Sequence, residues 1–246
     1  MDLKIPRLVD SFYYEFDKRM LDSAYEVYRG AANPFKGLYV SAIATHADKL
    51  INNRIYVRDS VEKAVTSFTK PWPKPVLAHH DDKNDPIGRV ISAQFIDSID
   101  TLGPTFSKFK TIPSPKARDQ YLNYLEETVL FSGDNRGTGY IQAALDITDK
   151  DAVEKVMDER YLTLSIGFDT DVYLCNICWA DWKKGEFCEH VPGTEVDGRR
   201  VFNITGQLTY DELSFVNKPA DQGAVVLEKG DQPIQLNSYA LDNVVE

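Results

Sequence analysis

The sequence has no long hydrophobic run: no stretch approaches ~20 consecutive apolar residues, so no membrane-spanning helix is expected. It starts MDLKIPRLVDSF, where charged and apolar residues alternate without the apolar core of a signal peptide, and a chain that folds in the cytoplasm is expected. Positive charge is scarce. The 28 Lys+Arg stand against 38 Asp+Glu, and a net charge of -10 disfavours sequence-independent binding to a phosphate backbone. Glycine, at 14, and proline, at 12, are too few for a fibrous or low-complexity chain. Cysteine is rarer still, and its three copies all fall between Cys175 and Cys188. That odd, clustered set speaks against a disulfide framework and for metal ligation in a reducing compartment. What is present, 246 residues at 43% hydrophobic and 27% charged, suffices for one domain with a real core.

Residues 1–36 place Leu8, Phe12, Phe16, Met20 and Tyr25 near helical spacing, an amphipathic helix that packs on the domain or docks a partner. Residues 37–229 form the main domain. LYVSAIAT from Leu38, PVLAHH before a charged loop, IGRVISAQFI after it, GYIQAALDIT, YLTLSIGFDTDVYL and QLTYDELSFVNKPAD read as strands. Short helices are expected over 60–68, capped by Asp59 or Ser60, over a stretch opened by Ser114-Pro115 and continued to Val129, and over 149–157. Strand, short helix and strand again predict an α+β fold. Residues 230–246 lack a clear period and read as a flexible tail.

Cys175-Asn-Ile-Cys178, then Cys188-Glu-His190 after nine intervening residues, are two close ligand pairs. A turn through Lys183, Lys184 and Gly185 returns the second pair to the ion held by the first, so a structural Cys3His zinc site in an insertion over 175–190 is expected. Three thiolates and an imidazole fill a tetrahedral shell and leave no position for a reactive water. Free core cysteines beside a surface histidine are the plain alternative.

G-x-S-x-G is absent, which removes support for an α/β-hydrolase elbow. Ser165, in YLTLSIGF, is a hydroxyl on a strand two residues before Gly167. His79 and His80 both stand where a strand enters the loop containing Asp81 and Asp82, and alternation lets only one share a face with Ser165. Glu212 is a carboxylate among apolar strand residues, able to orient an imidazole. Each also has an ordinary meaning: a strand serine, a solvated acidic loop, a solvent-facing strand residue.

In chain order, PVLAHHDDKNDPIGRV, LTLSIGFDTD and ELSFVNKPAD, with HADKLINNRIY and KPWPKPVLAHHD upstream, resemble the capsid maturation (prohead) proteases of tailed bacteriophages. Those proteases are relatives in fold of the herpesvirus assemblin proteases. The resemblance runs from about His46 to Ala220 and implies a barrel-like β-sheet serine protease core with flanking helices. It maps the nucleophile onto Ser165, the base onto His80 and, as the position to carry over for the third member, Glu212, with His46 and Asp169 as alternates. It also implies cleavage of scaffold protein, major capsid protein and the chain itself, inside a procapsid in the host cytoplasm, with neither nucleic acid nor membrane as partner and a homo-oligomer allowed. Backbone N–H groups near Gly88-Arg89 or Gly167 are the expected places for oxyanion donors. Some of these proteases cut after a Glu that has an aliphatic residue two positions earlier. Val244 and Glu246 fit that pattern, so Glu246 is expected either as a self-cleavage product or as an ordinary end. Two rivals stand beside the protease: a non-catalytic structural or scaffolding virion protein with a zinc hairpin, and a zinc-ribbon nucleic-acid binder.

Overall fold

The computed structural model describes residues 37–97, 112, 114–125 and 137–230, with the backbone of 232–233. The helix expected within 1–36, Val129, and the chain end at Val244 and Glu246 lie outside the described residues.

The chain folds as α+β around a curled half-barrel sheet. Its strands are β1 (Leu38–Ala47), β4 (Pro75–Ala78), β5 (Gly88–Asp97), β6 (Gly139–Ile147), β7 (Leu164–Thr170), β12 (Leu208–Phe215), β13 (Val226–Lys229) and the two-residue β14 (Gln232–Pro233). Their order is β14-β13-β1-β6-β5-β4-β12-β7. Residues 232–233, expected as the start of a free tail, therefore add a short strand to β13. The two margins of the sheet approach each other: the Leu164 N–H donates to the Ala224 carbonyl (2.9 Å) and the Val226 N–H to the Leu162 carbonyl (2.9 Å), just before β13 pairs with β1.

β1 and β6 are covered almost throughout, which is why LYVSAIATHA and GYIQAALDI carry small and apolar residues on both faces rather than alternating with polar ones. On one side Val40, Leu145, Leu164, Tyr210 and Phe215 share the main core with Val61 and Phe68. Ile43, Ile96 and Tyr140 form a smaller cluster. Val61 belongs to helix α1 (Arg58–Ala64), which runs into a 3-10 turn over Val65–Phe68. The expected caps Asp59 and Ser60 lie inside this helix, because it starts earlier, with Val57 as N-cap and no side-chain bond there. Buried Asp48 satisfies its start instead, accepting the Arg58 backbone N–H at 3.1 Å. Helix α2 (Arg118–Leu125) follows a 3-10 turn at Pro115, and α3 (Lys150–Met157) has Asp149 as N-cap, its carboxylate accepting the Ala152 N–H at 2.8 Å.

The long β run from Tyr161 divides between two sheets. Its first part is β7, and its second is β8 (Tyr173–Cys175), which belongs to a four-stranded sheet of order β2-β3-β11-β8. Here β2 is Leu50–Ile51, β3 is Arg54–Tyr56 and β11 is Asn203–Thr205. Ile55, Leu174, Phe202 and Ile204 pack with Tyr121 and Leu125 of α2 as a second core. A hairpin of β9 (Glu195–Val196) and β10 (Arg199–Arg200) lies between the cysteine stretch and β11. No helix among the described residues is long and apolar enough to cross a membrane.

Candidate active site and metal centre

β12 lies between β4 and β7, parallel to the first and antiparallel to the second. That order brings three distant segments of sequence together. Ser214 pairs with Ser165 of β7 and with Leu77 of β4, and Glu212 lies opposite Gly167. Residues two apart on a strand share a face, so Glu212 and Ser214 project to the same side.

β4 ends at Ala78, two residues earlier than the sequence suggests. His79 (φ 56°) and His80 (φ 59°) both adopt the left-handed conformation, so strand alternation does not decide between them. Such a conformation costs about 1–3 kcal/mol per residue and is kept where the surroundings enforce it. Here the His79 N–H donates to the Phe215 carbonyl (2.8 Å) and the His80 N–H to the Ser214 hydroxyl (3.1 Å). The turn aims the two rings differently. His79 presents its ring edge-on to Tyr161, with centroids 6.3 Å apart, whereas His80 Nδ1 lies 2.6 Å from Glu212 Oε1. Because a carboxylate only accepts, Nδ1 carries the proton and Nε2 is left free for other chemistry. The His80 side chain is 44% exposed and that of Glu212 12%, an accessible imidazole held from behind by a mostly buried acid.

Ser165 and His80 line one cavity of about 530 Å³. Thr45 of β1, Ile51 and Arg54 of the small sheet, Ile166 and Phe168 of β7, and the segment 218–222 complete its walls. Arg54 and Lys218 give it a cationic side. The Arg54 Nε donates to the Tyr173 hydroxyl at 2.6 Å. Of the two places expected for oxyanion donors, Gly88 and Arg89 pair with β4 and β6 inside the large sheet, and Gly167 lies on β7 between the cavity-lining Ile166 and Phe168.

The two alternates for the third position are engaged elsewhere. Asp169 is exposed and bonded to Lys183. His46 is buried, with Nδ1 2.7 Å from Asp221 Oδ2, while Lys49 Nζ reaches Oδ1 at 3.1 Å and the Gly223 N–H donates to Oδ1. Burial raises the Asp221 pKa, but His46, Lys49 and the Gly223 N–H outweigh it and hold the carboxyl well below the usual range. Asp221 itself lines the cavity, so this buried charge cluster anchors the 218–222 wall. Ser214, Asp221 and Arg54 carry no mark that composition or spacing singles out as a site. Glu212 and Ser214 in an E-x-S pattern on a strand are the nearest thing to one.

Cys175, Cys178, Cys188 and His190 present ligand atoms all within 4.8 Å of one another, a group that could hold a metal ion. Cys175 Sγ and His190 Nδ1 are 3.6 Å apart. Bonds of ~2.3 Å to sulfur and ~2.0 Å to nitrogen in a tetrahedron put an S···N edge near ~3.5 Å, so the donors fit. The return is made by a 3-10 turn at Trp182–Lys184, capped by Gly185 at φ 78°. Burial pushes the Cys175 thiol up to about 11, with the Cys188 and Cys178 sulfurs adding to it against two backbone N–H groups. For Cys188 burial also raises, but the Trp182 indole, the His190 backbone and ring, and Cys178 bring it down to about 6, a thiol ready to ionise toward a cation.

Compared with known protein families, curated proteins and solved structures, the chain matches none.

Proposed function

We propose that the chain is a serine endopeptidase. The observation that carries this reading is the shared cavity of Ser165 and His80, with the His80 Nδ1 bonded to the mostly buried Glu212. Ser165 Oγ attacks a peptide carbonyl, His80 Nε2 takes its proton and returns it to the leaving amine, and Glu212 keeps the imidazole in the Nδ1–H form throughout. Arg54 and Lys218 in the cavity wall suit an acidic side chain beside the scissile bond, in keeping with cleavage after Glu. The resemblance of the PVLAHHD, LTLSIGFDTD and ELSFVNKPAD stretches to prohead proteases makes scaffold protein, major capsid protein and the chain itself its substrates, within a procapsid. Packed there at high effective concentration, such an enzyme works without tight substrate binding. The Cys3His group is proposed to hold zinc as a structural ion.

A second reading, a non-catalytic virion protein that docks through the metal segment, is favoured by Phe187 and Val191, large apolar residues exposed beside the ligands. Peptides with Glu preceded two positions earlier by an aliphatic residue separate the two. The protease cleaves them after Glu, Ser165→Ala abolishes cleavage, His80→Ala nearly does, and His79→Ala is milder. Absence of cleavage of these peptides and of scaffold protein by the wild-type chain favours the docking protein.

A further inference from the structure

We propose that Ser214 is the positioning residue of the site, holding both the carboxylate that orients His80 and the backbone from which His80 projects; this deepens the protease reading and rests on it for its kinetic arm. Ser214 is fully buried. Its hydroxyl donates to Glu212 Oε2 at 2.5 Å and accepts the His80 N–H at 3.1 Å. A serine hydroxyl has a single proton, and here it is committed to the acid. One side chain thus fastens the imidazole from two directions.

The arrangement also separates two neighbouring serines that the strand pairing places opposite each other. Ser165 is half-buried and lines the cavity, whereas Ser214 is sealed from it and its proton is spent. With Oε1 taken by His80 and Oε2 by Ser214, both carboxylate oxygens have a donor and the Glu212 side chain has one orientation. Removing the hydroxyl frees that orientation and strips the left-handed turn at His80 of a bond that holds it.

The test uses the full chain and compares Ser214→Ala with Ser214→Thr, which restores a hydroxyl. With the Glu-containing peptides, Ser214→Ala is expected to lower kcat roughly 10- to 100-fold, the loss of one hydrogen bond to a charged group, with KM changed less than about twofold. Histidine-labelled protein supplies a readout that does not depend on cleavage. In 15N spectra the His80 ring, assigned by its loss in His80→Ala, is expected as a single Nδ1–H tautomer in the wild type, as a tautomer mixture in Ser214→Ala, and as the single tautomer again in Ser214→Thr. An unchanged tautomer in Ser214→Ala, or a mixture already in the wild type, overturns the proposal, as does a kcat within about twofold of wild type. If the wild-type chain cleaves nothing, the protease reading fails, and the tautomer measurement still decides the role of Ser214.

Discussion

Gly167 faces Glu212 so closely across β7 and β12 that a β-carbon on it would lie 2.3 Å from Glu212 Oε1, the oxygen that His80 uses. The glycine is there for space. Gly167→Ala is expected to push the carboxylate off the imidazole and lower kcat on the order of 100-fold, the scale that a misplacement of about 1 Å produces. Circular dichroism of the variant should remain that of the folded protein. Wild-type kcat in a folded Gly167→Ala protein would show that Glu212 does not orient His80.

Asp221 is the counter-charge for the buried Lys49 and the partner of the buried His46 ring. Asp221→Ala is expected to cost about 3–5 kcal/mol, because it leaves charge buried and unpaired. Since the carboxyl is held below its usual range, its contribution is present above the unfolded value of 3.8 and is lost as pH falls below that. Denaturant melts of wild type and variant should therefore converge in acid, and a constant difference down to pH 2 would contradict the ion-pair account.

Asp48 runs the other way. Burial raises it to about 6 in spite of donors from Thr138 and the Arg58 backbone and the Arg58 charge. The folded state then binds a proton more tightly than the unfolded state, so this group's contribution to stability grows as pH falls from about 6 toward 3.8. Asp48→Asn keeps an acceptor for the Arg58 N–H and suits the positive φ of 50° at this position. It is expected to raise stability at pH 7.5 by up to about 3 kcal/mol, with the gain shrinking by pH 5. A loss of stability at pH 7.5 would mean that the ionised carboxylate is favoured here.

Elemental analysis of protein prepared without chelator is expected to find one zinc per chain. Structural zinc contributes on the order of 10 kcal/mol of apparent binding energy in small motifs, so chelation should lower the melting temperature markedly. The strand register adds a second effect. Cys175 pairs with Asn203, and Asn203 with Arg54 in the cavity wall, so removing the ion should also weaken cleavage after acidic residues. Metal-free protein with an unchanged melt would contradict the structural role.

Six strands of the large sheet, β1, β4, β5, β6, β7 and β12, were legible in the sequence because they are β-favouring runs, and β5 pairs with the strand before its loop as two adjacent runs suggest; the short β13 and β14 at its margin were not read as strands. The cysteine group was legible because ligand spacing needs only local chain geometry. His80 against His79 was not: alternation stops at Ala78, and two left-handed residues re-aim the rings through bonds to β12, 134 residues away for His80 and Ser214. Ser214 and Asp221 were missed for a related reason. A serine in a β run and an acid after a proline have many ordinary uses, and only the packing of β12 between β4 and β7, and of residue 221 on His46, gives them one.

The central claim, that His80 activates Ser165, is tested most directly with a fluorophosphonate, which reacts with an activated serine whatever the natural substrate. Intact mass and peptide mapping are expected to find one adduct per wild-type chain, on Ser165, none in Ser165→Ala, and labelling slowed at least about 100-fold in His80→Ala. An unlabelled Ser165 in the wild type, or labelling as fast in His80→Ala as in the wild type, would contradict the account.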